Sequence, residues 1–238
     1  LIERSWKQIA IADLPPLTSG LVGLFCWDLV HELESIPQAS TLPYQIPLVQ
    51  LEMVQEIIAI DHRDNNLQLI SNIYCDDSQN FAEAYDEAAS NLEALLALVS
   101  QPTNQVFKQP YKSEETDVQS NISKEDFITA VLKAKEHVKA GDVFQVVLSQ
   151  RFDLDLKAEP IDVYRVLRAL NPSPYMYLLN LEDNRGRFSI VGSSPEALAK
   201  TSSGTVVMHP IAGSRPRGKT VSEDQEFADS LLADHKER

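Results

Sequence analysis

Length, composition and charge exclude several classes of protein. The chain has 238 residues, of which 43% are hydrophobic and 24% charged, a globular composition with enough apolar residues for one or two cores. Its 21 Lys and Arg stand against 35 Asp and Glu, and the formal charge of -14 opposes non-specific binding to nucleic acid and to anionic membranes. We therefore expect neither nucleic acid nor a membrane as a partner.

Two cysteines and the first residues bear on location. Cys26 and Cys75 lack CxxC spacing and stand in unrelated contexts, which favours buried thiols in a reducing compartment and predicts a cytoplasmic protein. No apolar run approaches the roughly 20 residues of a membrane span. Residues 1–5, LIERS, have neither an initiator Met nor a signal-peptide layout, so we expect the chain to be part of a longer polypeptide.

The first block of the chain combines β-rich segments with one helix. Residues 20–29 predict a buried strand or strand-turn, and 54–60 with 67–73 predict a hairpin around the polar residues 61–66. Residues 81–99 have the apolar spacing of an amphipathic helix. A polar, Pro-containing stretch follows, so we predict a first region over 1–100, a linker over 101–122 and a second region over 123–238.

The second block opens with a helix that has clear start and stop signals. Ser123 is the predicted N-cap, with Asp126 at the reciprocal position, and Gly141 stands where a C-terminal cap belongs. A strand is predicted from Val143, with Gln145 on one face. A polar residue in such a run is either exposed or part of a site, and the residue pattern taken alone favours exposure.

The remaining pattern predicts a helix and then successive strands. Residues 160–170 predict a helix, and 175–181, 187–191 and 197–201 predict strands joined by turn residues. A helix followed by strands that return along neighbouring paths indicates an α+β fold, because a doubly wound sheet alternates strands with helices.

A loop near the end of the chain has the composition of an anion-binding site. Residues 209–218, HPIAGSRPRG, follow the β-branched run 205–207 and precede an acidic segment typical of a helix. Glycines allow a close approach of the backbone to a ligand, prolines stiffen the loop, and the alternate cations Arg215, Arg217 and Lys219 share a face if the loop is extended. The alternative is an ordinary solvated connection.

Four motifs in a fixed order carry a family resemblance. They are GDVFQVVLSQRF (141–152), NPSPYMYLL (171–179), IVGSSPEAL (190–198) and the 209–218 loop. Together they resemble the chorismate-binding enzymes, most closely component I, the large subunit of anthranilate synthase. The resemblance is specific over 123–238 and looser before it, where GLVGLFCWDLV (20–30) is similar to the family's N-terminal region. It implies an α+β fold of mainly antiparallel sheets with flanking helices, here truncated at both ends.

The resemblance implies an enzyme that converts chorismate and ammonia to anthranilate and pyruvate, the first step of tryptophan biosynthesis. Where water-using relatives carry a Lys base, this chain has Gln145, and an amide cannot deprotonate water, whereas ammonia brings its own lone pair. Where aminodeoxychorismate synthases carry a nucleophilic Lys, this chain has Ala212. Glu196 matches the family's general acid, which must be protonated in a desolvated site. Read without the resemblance, Glu196 could be an N-terminal charge of the next element.

Substrate and effector positions are implied in the same way. Ala212, Gly213 and Ser214 match the substrate-binding loop, although the family usually has Thr where this chain has Ser214. Pro174, Tyr175 and Met176 match half of the pocket for tryptophan, the feedback inhibitor. Read without the resemblance, 171–176 is a proline-rich helix stop before a core strand. The other half of the pocket, a Leu-Leu-Glu-Ser motif, is absent.

The resemblance also implies a metal and a partner. Mg2+ is the expected cofactor, but the family's glutamate ligands lie beyond residue 238, so we assign no metal ligand here and expect this chain alone to be inactive. A glutamine amidotransferase subunit, component II, is the expected source of ammonia. Two alternatives stay open: an aminodeoxyisochorismate synthase that does not eliminate pyruvate, and a non-catalytic tryptophan-binding module.

Overall fold

The computed structural model describes residues 11, 13–37, 46–74, 80–102, 117–202, 204–211 and 213–235. It divides the chain into two units, Leu1–Gln109 and Pro110–Arg238. Cys75, Ala212 and most of the predicted linker lie outside the described residues. The predicted region boundaries at 100 and 123 therefore stay a prediction.

The first unit contains two antiparallel strand pairs. Strand β1 (Leu21–Phe25) pairs with β2 (Val49–Met53), and β3 (Glu56–Asp61) pairs with β4 (Asn66–Ser71). The strand predicted over 20–29 is confirmed in its first half only, because the chain turns into a 3-10 helix at Trp27–Glu32. The N–H of Cys26 donates to the carbonyl of Leu48 at 2.8 Å and closes the β1–β2 pair at this end.

The β3–β4 hairpin confirms the prediction around residues 61–66. Asn65 adopts a positive φ of 50°, a conformation that Asn tolerates better than most residues. The Asp61 carboxylate accepts a hydrogen bond from the backbone N–H of Arg63 at 2.9 Å and pairs with the guanidinium of the same residue. These hydrogen bonds from Arg63 lower the pKa of Asp61. The turn is therefore fixed by its own polar residues.

Helix α1 (Phe81–Ser100) completes the first unit and confirms the predicted amphipathic helix. Asn80 caps it by accepting a hydrogen bond from the N–H of Ala82 at 3.1 Å. The helix packs against β4, and Ala88 on it is only 8% exposed. Within this fully described helix, Ala88 is the one buried residue.

The second unit begins with a capped helix. Helix α2 (Lys124–Ala140) starts at Ser123, whose Oγ accepts a hydrogen bond from the N–H of Asp126 at 3.0 Å. It ends at Gly141, which has the left-handed φ of 81° that glycine adopts without strain. Both predicted caps are confirmed. A short ladder, β5 (Gln119–Ser120) with β6 (Phe152–Asp153), joins the segments on either side of the helix.

The strand predicted from Val143 is wrong in this structure. Residues 143–151 form no regular element, and only the last motif residue, Phe152, enters a strand. Phe144 is 91% and Val147 84% exposed. An alternating sequence suits a strand, but a strand needs a neighbour for its N–H and C=O groups. No described strand pairs with residues 143–150, whereas the backbone of Arg151 is hydrogen-bonded to Asn121 beside the short β5–β6 ladder.

A helix-covered hairpin follows. Helix α3 (Pro160–Leu170) has Pro in its first turn, and it lies against β7 (Tyr175–Asp183) and β8 (Gly186–Ser194), which pair over nine residues each. Leu181 on β7 is 4% exposed. The predicted helix 160–170 and the strands at 175–181 and 187–191 are confirmed, and both strands are longer than predicted.

Two short strands and a helix end the described chain. Strand β9 (Lys200–Ser202) pairs with β10 (Thr205–Val207), and helix α4 (Val221–Ala233) follows the 209–218 loop. The strand predicted over 197–201 therefore starts three residues later than expected. All five strand pairs among the described residues are antiparallel, and the β3–β4 and β7–β8 pairs pack against helices, which confirms the α+β class.

Few hydrophobic side chains of the described residues are buried. Among the described residues, Ala88 and Leu181 are the hydrophobic residues that are more than nine-tenths buried. Helices and hairpins have apolar faces that are stabilised by burial. Many of those faces are open here. In the described part of the chain, no helix is both long and apolar enough to cross a membrane.

Candidate functional site

The open end of the β7–β8 hairpin brings two predicted site motifs together. The antiparallel register places Tyr175 opposite Ser194 and Met176 opposite Ser193. Glu196 follows two residues after Ser194, so the predicted general acid and the predicted tryptophan motif lie at the same end of the hairpin. Cross-strand neighbours have Cβ atoms about 5 Å apart.

Serine hydroxyls shape this end of the hairpin. Ser193 Oγ donates to the carbonyl of Asn171 at 2.7 Å and ties β8 to the end of helix α3. Ser194 Oγ donates to the carbonyl of Glu196 at 3.0 Å and accepts from its N–H at 3.4 Å, which forms a tight local turn. The serines of the GSSPE motif therefore place the Glu196 backbone.

The Glu196 side chain is exposed. A carboxylic acid that donates a proton near neutral pH needs a desolvated environment. The turn fixes the position of Glu196 but leaves its carboxyl group exposed to solvent. The desolvated environment would have to come from other groups that cover it.

Gly192 and Tyr177 form a close cross-strand pair in the same hairpin. They are register partners, and a Cβ added at Gly192 would lie 2.1 Å from Tyr177 Cζ. The ring therefore lies across the glycine. The motif glycine has a direct steric role that the sequence reading did not assign.

Gln145 lies in the irregular segment after helix α2, and its side chain is exposed. The neighbouring Val146 and Leu148 line an apolar groove of 440 Å3 against α2, whereas Gln145 and Val147 do not. Val143 also lines this groove, so the side chains alternate between the two faces over residues 145–148 but not from the start of the segment.

Two carboxylates, one in helix α4 and one at the residue that ends it, contact the cations of the 209–218 loop. Arg215 Nη2 lies 2.8 Å from Asp234 Oδ2, and Arg217 Nη2 lies 2.7 Å from Asp224 Oδ2. Each guanidinium has five N–H donors, so donors remain for a ligand. The predicted anion-binding loop is therefore partly neutralised by its own chain.

The backbone after this loop is held in the same way. The Gly218 N–H donates to Asp224 Oδ1 at 2.8 Å, and the Lys219 N–H donates to Glu223 Oε2 at 2.6 Å. Thr220 caps the helix by accepting from the Glu223 N–H at 3.2 Å. The sequence reading did not assign a role to these acidic residues, but Thr-x-x-Glu, which begins two residues after Gly218, is a capping-box signal that could have indicated them.

The substrate residues of this loop are placed as follows. Gly213 is half-buried and Ser214 is exposed, while Ala212 lies outside the described residues. No hydrogen bond or ion pair between described residues joins Gln145, Glu196 and Ser214. The three positions belong to three separate local structures within the second unit.

The described residues contain no group of three or more His, Cys, Asp or Glu side chains that could hold a metal ion. Mg2+ sites use several oxygen ligands at short range. The described side chains therefore do not fit a Mg2+ site on their own.

Comparison with known proteins identifies the class. The family model described as chorismate binding enzyme matches residues 3–238, and the chain belongs to that family.

Two of its curated relatives are named anthranilate synthase component 1. The chain is 43% identical to anthranilate synthase component 1 of Arthrobacter globiformis, over 94% of this chain and 44% of the relative. It is 42% identical to anthranilate synthase component 1 of Mycolicibacterium smegmatis, over 98% of this chain and 45% of that relative. The crystal structure of anthranilate synthase component I from Streptococcus pneumoniae TIGR4 is similar with a TM-score of 0.76 at 28% identity, over 97% of this chain and 48% of that one.

These matches confirm the resemblance to component I and the α+β fold. The chain spans about half the length of the relatives that it matches.

Proposed function

We propose that this chain is the chorismate-binding part of an anthranilate synthase large subunit, which converts chorismate and ammonia to anthranilate and pyruvate in the first step of tryptophan biosynthesis. The observation that carries the proposal is the family match over 3–238 together with 43% identity to component 1 of Arthrobacter globiformis. The proposed class is therefore a carbon-oxygen lyase.

The choice of nucleophile is proposed from two residues. Gln145 cannot act as a base for water, and Ala212 cannot attack the ring, so the site is suited to free ammonia, which needs neither. Ammonia adds at ring C2 while the C4 hydroxyl takes a proton from Glu196 and leaves as water. Loss of pyruvate then gives the aromatic product.

Binding is proposed for the 209–218 loop. Chorismate is a dicarboxylate, and Gly213 and Ser214 offer backbone and hydroxyl donors beside two arginines. The net charge of -14 makes such a local basic site necessary for an anionic substrate. Mg2+ is the proposed cofactor, but no step is assigned to it because the described residues offer no ligand cluster.

Partner and regulator follow from the same proposal. A glutamine amidotransferase subunit supplies ammonia, and tryptophan binds at Pro174, Tyr175 and Met176 as feedback inhibitor. The hairpin register supports a link between regulation and catalysis, because these residues lie opposite the strand that leads into Glu196.

The test uses the full-length product of the gene with chorismate, ammonium and Mg2+. Anthranilate, detected by its fluorescence, is the expected product. A product that retains the pyruvyl group by mass would identify an aminodeoxyisochorismate synthase instead. Tryptophan binding without any turnover would identify a non-catalytic module.

Gln145→Lys sharpens the test. A lysine beside C2 supplies a base for water, so we expect some isochorismate by chromatography. Gln150→Lys is the matched control, since it adds the same cation to the same segment at a residue that instead donates to Ser120 Oγ at 2.8 Å. No isochorismate from the first variant, or equal amounts from both, contradicts the placement of Gln145.

A further inference from the structure

One carboxylate of helix α4 holds two consecutive residues of the 209–218 loop. Asp224 Oδ1 accepts the Gly218 N–H at 2.8 Å, and Oδ2 pairs with Arg217 Nη2 at 2.7 Å. Both oxygens are used, so backbone and side chain are fixed by the same group.

The backbone contact is the stronger of the two. The Arg217 side chain is 89% exposed, and an exposed ion pair contributes little because water screens it. The hydrogen bond from Gly218 is part-buried, and a Cβ at Gly218 would lie 2.1 Å from the Asp224 nitrogen. The loop backbone therefore rests directly on the first turn of the helix, with space only for glycine.

We propose that Asp224 is a positioning residue for the anion-binding loop. It anchors the loop at Gly218, and through this anchor it orients the donors of Gly213 and Ser214 toward a substrate carboxylate. Asp224 itself makes no contact with the substrate. The inference rests on the proposed function in one respect, namely that the substrate is chorismate.

Charge and positioning predict opposite effects of removing this carboxylate. Loss of a negative charge beside an anion-binding loop frees Arg217 and strengthens the attraction of a dicarboxylate, which lowers the KM. Loss of the anchor leaves the loop to be ordered when substrate binds, which raises the KM. The direction of the change in KM therefore distinguishes a positioning role of Asp224 from a simple charge effect.

The experiment compares three variants of the full-length gene product. Asp224→Ala removes the anchor, and Asp224→Asn keeps an acceptor oxygen but loses the charge. Asp229→Asn is the control, because it removes an equal charge from the same helix at a carboxylate that pairs with Gln225 at 2.8 Å.

We expect Asp224→Ala to raise the KM for chorismate about tenfold and to change kcat less than about twofold. This is the pattern of an interaction that contributes equally to binding of the substrate and of the transition state. Asp224→Asn shows a smaller rise, and Asp229→Asn shows none. An unchanged or lowered KM in both Asp224 variants overturns the proposal, as does an equal rise in the control.

Hydrogen exchange of the peptide that contains 213–219 gives a readout without activity. We expect faster exchange in Asp224→Ala and Asp224→Asn than in Asp229→Asn. Equal exchange in all three overturns the proposal. If the unmodified protein neither binds nor converts chorismate, the proposed function is wrong, and the exchange rates still decide whether Asp224 holds the loop.

Discussion

Gly218→Ala tests the contact between the 209–218 loop and helix α4 from the side of the loop. The added Cβ would lie 2.1 Å from the nitrogen and 2.6 Å from the Cα of Asp224. Unbonded carbon atoms prefer separations of about 3.5–4.0 Å, so loop and helix must move apart by more than about 1 Å. The neighbouring atoms belong to a helix backbone and cannot rotate away.

The expected loss of stability follows from this displacement. Overpacking costs about 1–3 kcal/mol. The Gly218–Asp224 hydrogen bond, now 2.8 Å, lengthens beyond useful range, and its loss costs about 1.5–3 kcal/mol because the acceptor is charged. Together these two contributions lower the free energy of unfolding by about 2.5–6 kcal/mol, and partial relaxation of loop and helix favours the lower figure.

Thermal unfolding of the full-length gene product measures the effect, with Gly192→Ala as the matched control. There the added Cβ meets the far end of the Tyr177 side chain, at 2.1 Å from Cζ, and an exposed ring can turn aside. We expect a clear fall in Tm for Gly218→Ala and a smaller one for Gly192→Ala. Equal Tm values for Gly218→Ala and the unmodified protein would refute the packing argument.

Four further predictions follow from the structure and the proposed function. Glu196→Gln keeps chorismate binding but lowers kcat by roughly two to four orders of magnitude; an unchanged kcat removes Glu196 from the mechanism. Arg185 hydrogen bonds lower the pKa of Asp183, so its carboxylate contributes stability above the unfolded pKa that is lost as pH falls through the lower folded pKa. In Asp183→Asn, the urea midpoint of unfolding should therefore depend less on pH below about pH 4 than in the unmodified protein. The same pH dependence in both proteins argues against the Asp183–Arg185 pairing. Burial raises the pKa of the Cys26 thiol, aided by Asp28, so iodoacetamide should alkylate Cys26 more slowly in the folded than in the unfolded chain at about pH 8; equal rates contradict this. The 238-residue chain alone, given chorismate, ammonium and Mg2+, should form no anthranilate, and fluorescence from it would overturn our placement of the metal site.

Local features of this protein could be predicted from the residues because each depends on near neighbours in the chain. Ser123 caps a helix through a residue three positions later, Gly141 ends it through its own φ, and Asn65 fits a turn that Asp61 closes. Side chains also alternate between two faces over residues 145–148, although no strand forms there and Val143 does not follow the pattern. The family was also predictable, because four motifs in order are preserved in sequence and need no coordinates.

Tertiary structure alone decided whether those local signals became elements and sites. Residues 143–150 have the alternating sequence of a strand, but no described strand pairs with them, and the backbone groups of a strand need such a neighbour. Arg215 reads as a free cation in the sequence, yet it pairs with Asp234, 19 residues later, because helix α4 places that carboxylate beside the loop. Tyr175 and Ser194 become neighbours through the register of a hairpin. Such contacts depend on where distant segments lie relative to one another. Burial and strand pairing determine that placement, so no short run of residues can predict it.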